Sequence, residues 1–246
     1  MTTLTPTTDS LLKLWQDELR AAVVPGKKEV LQRFFKTGKG EYGEGDIFIG
    51  VVVPDNRKVA HLFWDAPYEV VEGMLASPVH EFRLSGFLSL VRRFEKSRKE
   101  PQKREEVVKF YLKNASRANN WDLVDLSAPK ILGEHLAETG SYEVLYGLMK
   151  SECLWEQRIA MVSTLGLLCH GIYEPTLRIA THFLRHPHDL MRKATGWMLR
   201  EMGKRVSEER LCEFLDRHAT EMPRTMLRYA IERLPGPVRK HYMTLR

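Results

Sequence analysis

The sequence predicts an all-α chain built as a stack of helical repeats, and three observations carry that prediction. Apolar residues recur at helical spacing along most of the chain, prolines stand where helices start, and one short pattern returns at a near-constant interval. Leu11, Leu12, Leu14, Trp15 and Leu19 mark a first helix, with Thr8 or Asp9 as its N-cap. A second runs from about Lys27 to Lys36. Residues 37–53, TGKGEYGEGDIFIGVVV, form a loop with five glycines, and its IFIGVVV stretch is the one strand-like run. Pro54 restarts a helix at the first-turn position, where its missing N–H costs nothing. Further helices begin near Pro67, Pro78, Pro101, Ser141, Glu152, Glu174, His188, Ser207, Pro223 and Pro235.

The repeat lies in EFRLSGFLSL around Arg83, EQRIAMVSTL around Arg158, LMRKATGWML around Arg192 and EMPRTMLRYAIERL around Arg228. Each segment places a basic residue, then small and apolar ones, on the second helix of a pair. The intervals are 75, 34 and 36 residues; the first is two periods, so a further unit is due near residue 121, at NNWDLVDLSAPKIL. Such periods belong to helical-pair solenoids of the HEAT and armadillo kind, which curve and often bind on their concave side. The expectation is one repeat domain over residues 1–246, a superhelix with a concave basic groove; a non-repetitive helical bundle is the alternative.

Composition narrows the function. An apolar content of 43 % is enough for a core, and no apolar run has the roughly 18–20 residues that cross a bilayer. The start, MTTLTPTTDS, lacks the basic-then-apolar pattern of a secretory signal, so a cytoplasmic protein without membrane contact is expected. Three scattered cysteines, Cys153, Cys169 and Cys212, make neither a disulfide framework nor a zinc site. The formal charge of +6 is concentrated: residues 178–246 hold 15 Lys and Arg against 8 Asp and Glu, leaving the rest near neutral. That bias suits a polyanion, whose counterions are released on binding, and equally a solvated surface rich in arginine.

The segment with most chemistry is Asn119-Asn120-Trp121-Asp122-Leu123-Val124-Asp125. Trp121 and Asp125, four apart, share one helix face. A carboxylate beside an aromatic plane can stabilise a substrate that develops positive charge. The plainer reading places Trp121 in the core and Asp122 or Asp125 at a helix cap. Trp155 with Arg158, and Trp197 with Arg200 and Lys193, repeat the aromatic–basic pairing in the following units.

NWDLVD, LWEQRIAM, KATGWMLREMGKR and MPRTMLRYAIER, in that order, resemble the DNA alkylation repair family of AlkD-type glycosylases. IFIGVVVPDNRKVA resembles that family's N-terminal segment, and the likeness spans roughly residues 10 to 240. It implies a HEAT-like solenoid that grips duplex DNA and excises N3- and N7-alkylpurines, with neither metal nor cofactor. The base is not inserted in a pocket, unlike in most glycosylases. On that resemblance Asp125 is the catalytic aspartate, Trp121 and Trp197 are cleft aromatics, Arg158 contacts DNA and Arg200 is a second basic residue beside it; Lys193 and Trp155, from the aromatic–basic pairs, complete the expected DNA-binding set. A cationic purine leaves without a general acid, so one carboxylate facing the oxocarbenium-like sugar suffices. The partner is then duplex DNA carrying alkylated purines, and the chain acts as a monomer. Two departures stand out: the GKGEYGEGD insertion, and no clear counterpart within Lys27–Lys36 to an aromatic that some members carry on the second helix.

Other signals are weaker. Gly38-x-Gly40-x-x-Gly43 follows a helix, not a strand, so it reads as a flexible turn instead of a dinucleotide fingerprint. His182, His186 and His188 read as a surface cluster, because Pro187 interrupts their helix. Glu152 disfavours a thiolate at Cys153. A solenoid that binds nucleic acid without catalysis, or one that binds an acidic protein, remains the alternative function.

Overall fold

The computed structural model describes residues 7–245. Along the chain run α1 (Thr8–Ala21), α2 (Lys27–Phe34), α3 (Val53–Leu62), α4 (Tyr68–Leu75), α5 (His80–Lys96), α6 (Pro101–Lys113), α7 (Trp121–Ala128) and α8 (Glu134–Thr139). Then come α9 (Glu143–Leu148), α10 (Leu154–Cys169), α11 (Glu174–His182), α12 (Asp189–Arg205), α13 (Glu208–His218), α14 (Arg224–Ala230) and α15 (Gly236–Thr244). A 3-10 turn, Ala115–Arg117, precedes α7, and a π turn, Pro129–Gly133, follows it. Among the described residues there is no strand. The IFIGVVV stretch makes one isolated parallel bridge, Ile47 to Val79. The fold is an all-α helical-repeat fold.

The repeat segments fall on α5, α10, α12 and α14, and α7 occupies the position due near residue 121. Helix starts match the expected ones to within about two residues, because prolines and cap residues fix them locally. One cap differs. Thr7, not Thr8 or Asp9, caps α1, its Oγ1 accepting from the Ser10 N–H at 3.2 Å.

The chain divides into two compact units, residues 1–127 and 128–246. In the first, α5 packs against α3, α4 and α6 and is buried on nearly every side. Trp15 of α1 stacks on Phe63 at 4.9 Å between ring centroids and donates its indole N–H to Ser85 Oγ at 2.8 Å. A buried indole needs that acceptor.

In the second unit, α10 packs on the π turn and on α12, and α12 packs on α14. The small residues of the repeat allow this. A Cβ at Gly166 would lie 2.6 Å from the Pro129 carbonyl oxygen, and one at Gly196 would lie 2.4 Å from that of Met226. Gly196→Ala is therefore expected to lower stability by about 1–3 kcal/mol through overpacking, read as a lower denaturant midpoint with an unchanged slope.

Candidate functional site

The first unit builds its site on α7. Trp121 and Asp125 are both partly exposed on this helix, one turn apart, as the sequence pairs them. Asn120 holds the helix start. Its Oδ1 accepts from the Trp121 N–H at 2.9 Å, while its Nδ2 donates to Asp46 Oδ2 at 3.1 Å.

Trp121 rests on an aromatic stack that the sequence does not announce. Phe35 lies parallel to it at 5.1 Å and 18°, and Phe34 meets it edge-on at 5.8 Å and 72°. Phe35 continues onto Phe48 at 5.0 Å, and Phe48 onto the His80 ring at 4.4 Å. Phe35 is buried, whereas Phe34 is 61 % exposed beside Trp121. These two phenylalanines, at the end of α2 and just beyond it, place aromatic rings from the Lys27–Lys36 segment against Trp121.

Behind this stack lies a buried ionic network. His80 is 1 % exposed and sits between two carboxylates, with Nδ1 3.3 Å from Asp46 Oδ2 and Nε2 2.9 Å from Asp122 Oδ2. Arg83 donates from Nη2 to Asp46 Oδ1 at 2.6 Å and from Nη1 to the Ser77 carbonyl at 2.9 Å. Burial alone would drive the imidazole neutral. The charge of Asp122 and the hydrogen bonds to Asp122 and Asp46 outweigh it, and the His80 pKa is pushed up to about 9. For Asp46, burial opposes ionisation, but the His80 hydrogen bond and then the Arg83 charge hold its carboxyl below the usual range. Two carboxylates thus face two cations, and each ring N–H of His80 has an acceptor. Asp122, which the plainer reading offered as a helix cap, is a buried ion-pair partner.

The same network anchors the glycine-rich loop. Besides Asp46, the buried Glu81 carboxylate accepts the backbone N–H groups of Ile49, Gly50 and Val51 at 3.0, 2.7 and 3.2 Å. Gly50 lies at φ +102°, and a Cβ there would crowd the Lys28 nitrogen at 3.1 Å, so the turn needs glycine. Residues 46–51 of the loop are thus tied to the first turn of α5.

The second unit carries the other expected residues. Trp155 stands in the first turn of α10 and Trp197 midway along α12, both half-buried. Arg158 is 4 % exposed and donates from Nη1 to the Leu190 carbonyl at 2.7 Å. Lys193 pairs with Asp189 at 2.8 Å, and Arg200 pairs with Glu201 at 3.3 Å and with Glu232. Burial opposes the charge on Glu201, yet the Arg205 and Arg200 contacts hold its carboxyl below the usual range.

A pattern explains the repeated basic residue. Arg83, Arg158 and Arg192 each donate to a backbone carbonyl, of Ser77, Leu190 and His186, in the turn before their helix or on a neighbouring helix. The guanidinium groups thus tie their helices to the backbone of the preceding turn or of a neighbouring helix. Arg228, on the last repeat, is exposed.

The histidine cluster also resolves. His186 accepts from the His188 N–H at Nδ1, 3.1 Å, and its Nε2 contacts Gln157 Oε1 at 2.8 Å, so both ring nitrogens are engaged. Burial, with the nearby charges of His188, Arg192 and His182, keeps its pKa below the usual value. Among the described residues no cluster of three His, Cys, Asp or Glu side chains is placed to hold a metal. Nor is any described helix long and apolar enough to cross a membrane.

Comparison with known proteins bears on this geometry. A solved structure described as a predicted DNA alkylation repair enzyme from Enterococcus faecalis superposes with a TM-score of 0.65 at 16 % identity, covering 87 % of this chain and 97 % of the other. At that identity the likeness concerns the fold. No curated protein matches the sequence. The family described as DNA alkylation repair enzyme matches residues 15–234, which include α7 with its aromatic support, α10 and α12. The chain belongs to the DNA alkylation repair enzyme family.

Proposed function

We propose that this protein is a DNA glycosylase that releases cationic N3- and N7-alkylpurines from duplex DNA, with Asp125 as the electrostatic catalyst. The observation that carries this reading is the Trp121–Asp125 pair, held on a helix whose first turn is fixed by stacking and ion pairing. The alkylated base already bears positive charge and departs without protonation. Positive charge then grows on the deoxyribose, and a carboxylate fixed nearby stabilises it without reorganising. The indole face of Trp121 adds a cation–π contribution to the cationic nucleotide. Trp197 is the second aromatic of the reading, and Trp155, Arg158, Lys193 and Arg200 its DNA-contacting set.

The test is base release from methylated duplex DNA under single-turnover conditions. Release of 7-methylguanine or 3-methyladenine, but not of a neutral lesion, is the expected result. Duplex binding without release would point to a recognition protein. Binding itself should weaken steeply with salt, by roughly tenfold or more between 50 and 200 mM, since phosphate contacts release counterions. Arg200→Ala should lower affinity alike for different DNA sequences, and a salt-independent affinity would contradict a phosphate-gripping surface.

A further inference from the structure

The ionic network behind Trp121 has features that a core anchor alone does not require. Asp122 follows Trp121 directly, so its side chain leaves α7 about 100° round the helix from the indole. One of its oxygens meets His80; the other is buried and, among the described residues, has no hydrogen-bond partner. The hydrogen bonding of Asp122 therefore runs through a single tie, from α5 to the first turn of α7. The groups facing His80 come from three elements: Asp46 from the loop, Asp122 from α7 and Arg83 from α5 itself, with the Phe35 and Phe48 rings against the imidazole. Doubly protonated, the ring donates to both carboxylates at once. Neutral, it has one N–H for two acceptors, and the other carboxylate then meets a lone pair.

We propose that His80 is a positioning residue for the reaction: as an imidazolium it sets the rotation of the first turn of α7 through Asp122, and so the aim of Trp121 and Asp125. This rests on the glycosylase reading for its catalytic consequence, though not for its structural one. Loss of the His80 proton releases one of its two ties. Because the site is charge-balanced with both cations present, the active geometry belongs to the protonated form.

Two readouts on the full chain test this. The first follows Trp121 itself by fluorine NMR of protein carrying 5-fluorotryptophan, with the resonance assigned through Trp121→Phe. In wild type that resonance should titrate with a midpoint near the His80 value of about 9. In Asp122→Asn the midpoint should fall toward the ordinary histidine value near 6.5, because the partner charge is gone. The second is single-turnover release from 7-methylguanine DNA between pH 6 and 9.5, with DNA affinity measured in parallel. Wild-type release should decline at the alkaline end. Asp122→Asn should release base about tenfold more slowly at pH 8 with near-normal affinity, and its decline should begin at lower pH. His80→Gln, which keeps a donor but cannot titrate, should show no alkaline decline. A Trp121 resonance that does not titrate, or titrates identically in Asp122→Asn, would overturn the positioning role. A titrating resonance with no base release by wild type would instead overturn the glycosylase reading and leave the tie standing.

Discussion

Asp125→Asn is expected to release N7- or N3-methylpurine about 10²–10³-fold more slowly than wild type, while folding and binding duplex DNA almost unchanged. The substitution keeps size and most hydrogen bonding and removes only the negative charge. Asp125 is partly exposed on α7, and asparagine fills the same space there. The effect lies near the lower end of that range if the departing purine, already cationic, carries much of the reaction unaided. Single-turnover base release by the variant and by wild type, with melting curves for both, measures it. A suitable control is Asp65→Asn, an exposed acid in the turn after α3, which should match wild type. Asp122→Asn is no such control, because Asp122 is buried against His80. Equal rates for Asp125→Asn and wild type would remove the proposed mechanism.

Asp46→Ala carries the second large expected effect, this time on stability. Asp46 receives His80, Arg83 and Asn120, and its removal leaves His80 and Arg83 as neighbouring buried cations with one carboxylate between them. Breaking a buried pair from one side costs about 3–5 kcal/mol. The loop should loosen too, exposing the amides of residues 49–51 to hydrogen exchange. The pH dependence follows from the two shifted groups. The folded His80 pKa is raised above its unfolded value, so its contribution is complete below about 6.5 and is lost as pH rises through about 9. The folded Asp46 pKa is depressed, so its contribution is present above the ordinary carboxylate value and is lost as pH falls through the folded one. Wild-type melting temperature should therefore decline from about pH 6.5 to 9, and the decline should be shallower in Asp46→Ala. A wild-type melting temperature flat across that range would show that His80 is not held as an imidazolium.

What was legible in the sequence is what local chemistry decides. Proline at a first turn, serine at Ser207 capping α13 through the Arg210 N–H, and apolar spacing each act within a turn or two of helix. They place the helix starts. The shared face of Trp121 and Asp125 belongs to the same class, because four residues make about one helical turn. The cap of α1 is Thr7, one residue before the expected Thr8 or Asp9, because a run of neighbouring cap-forming side chains does not by itself select one.

Only the tertiary structure could decide the rest, since the partners lie far apart along the chain and their local sequence is silent about one another. His80 is 34 residues from Asp46 and 42 from Asp122, and nothing near any of them marks it as charged and buried. Phe34 and Phe35 read as ordinary apolar positions at the end of α2 until α7 is packed against them. Glu81 looks like a first-turn acid, yet it binds three loop amides. Arg158 looks like any cation, yet it is buried on the Leu190 carbonyl. A charge has the same symbol in sequence whether water or a carboxylate surrounds it, and its energetics differ between the two by several kcal/mol. The sequence determined which helices form and that Trp121 and Asp125 share a face of α7; desolvation, which only packing sets, decided which charges became buried struts and which stayed at the surface.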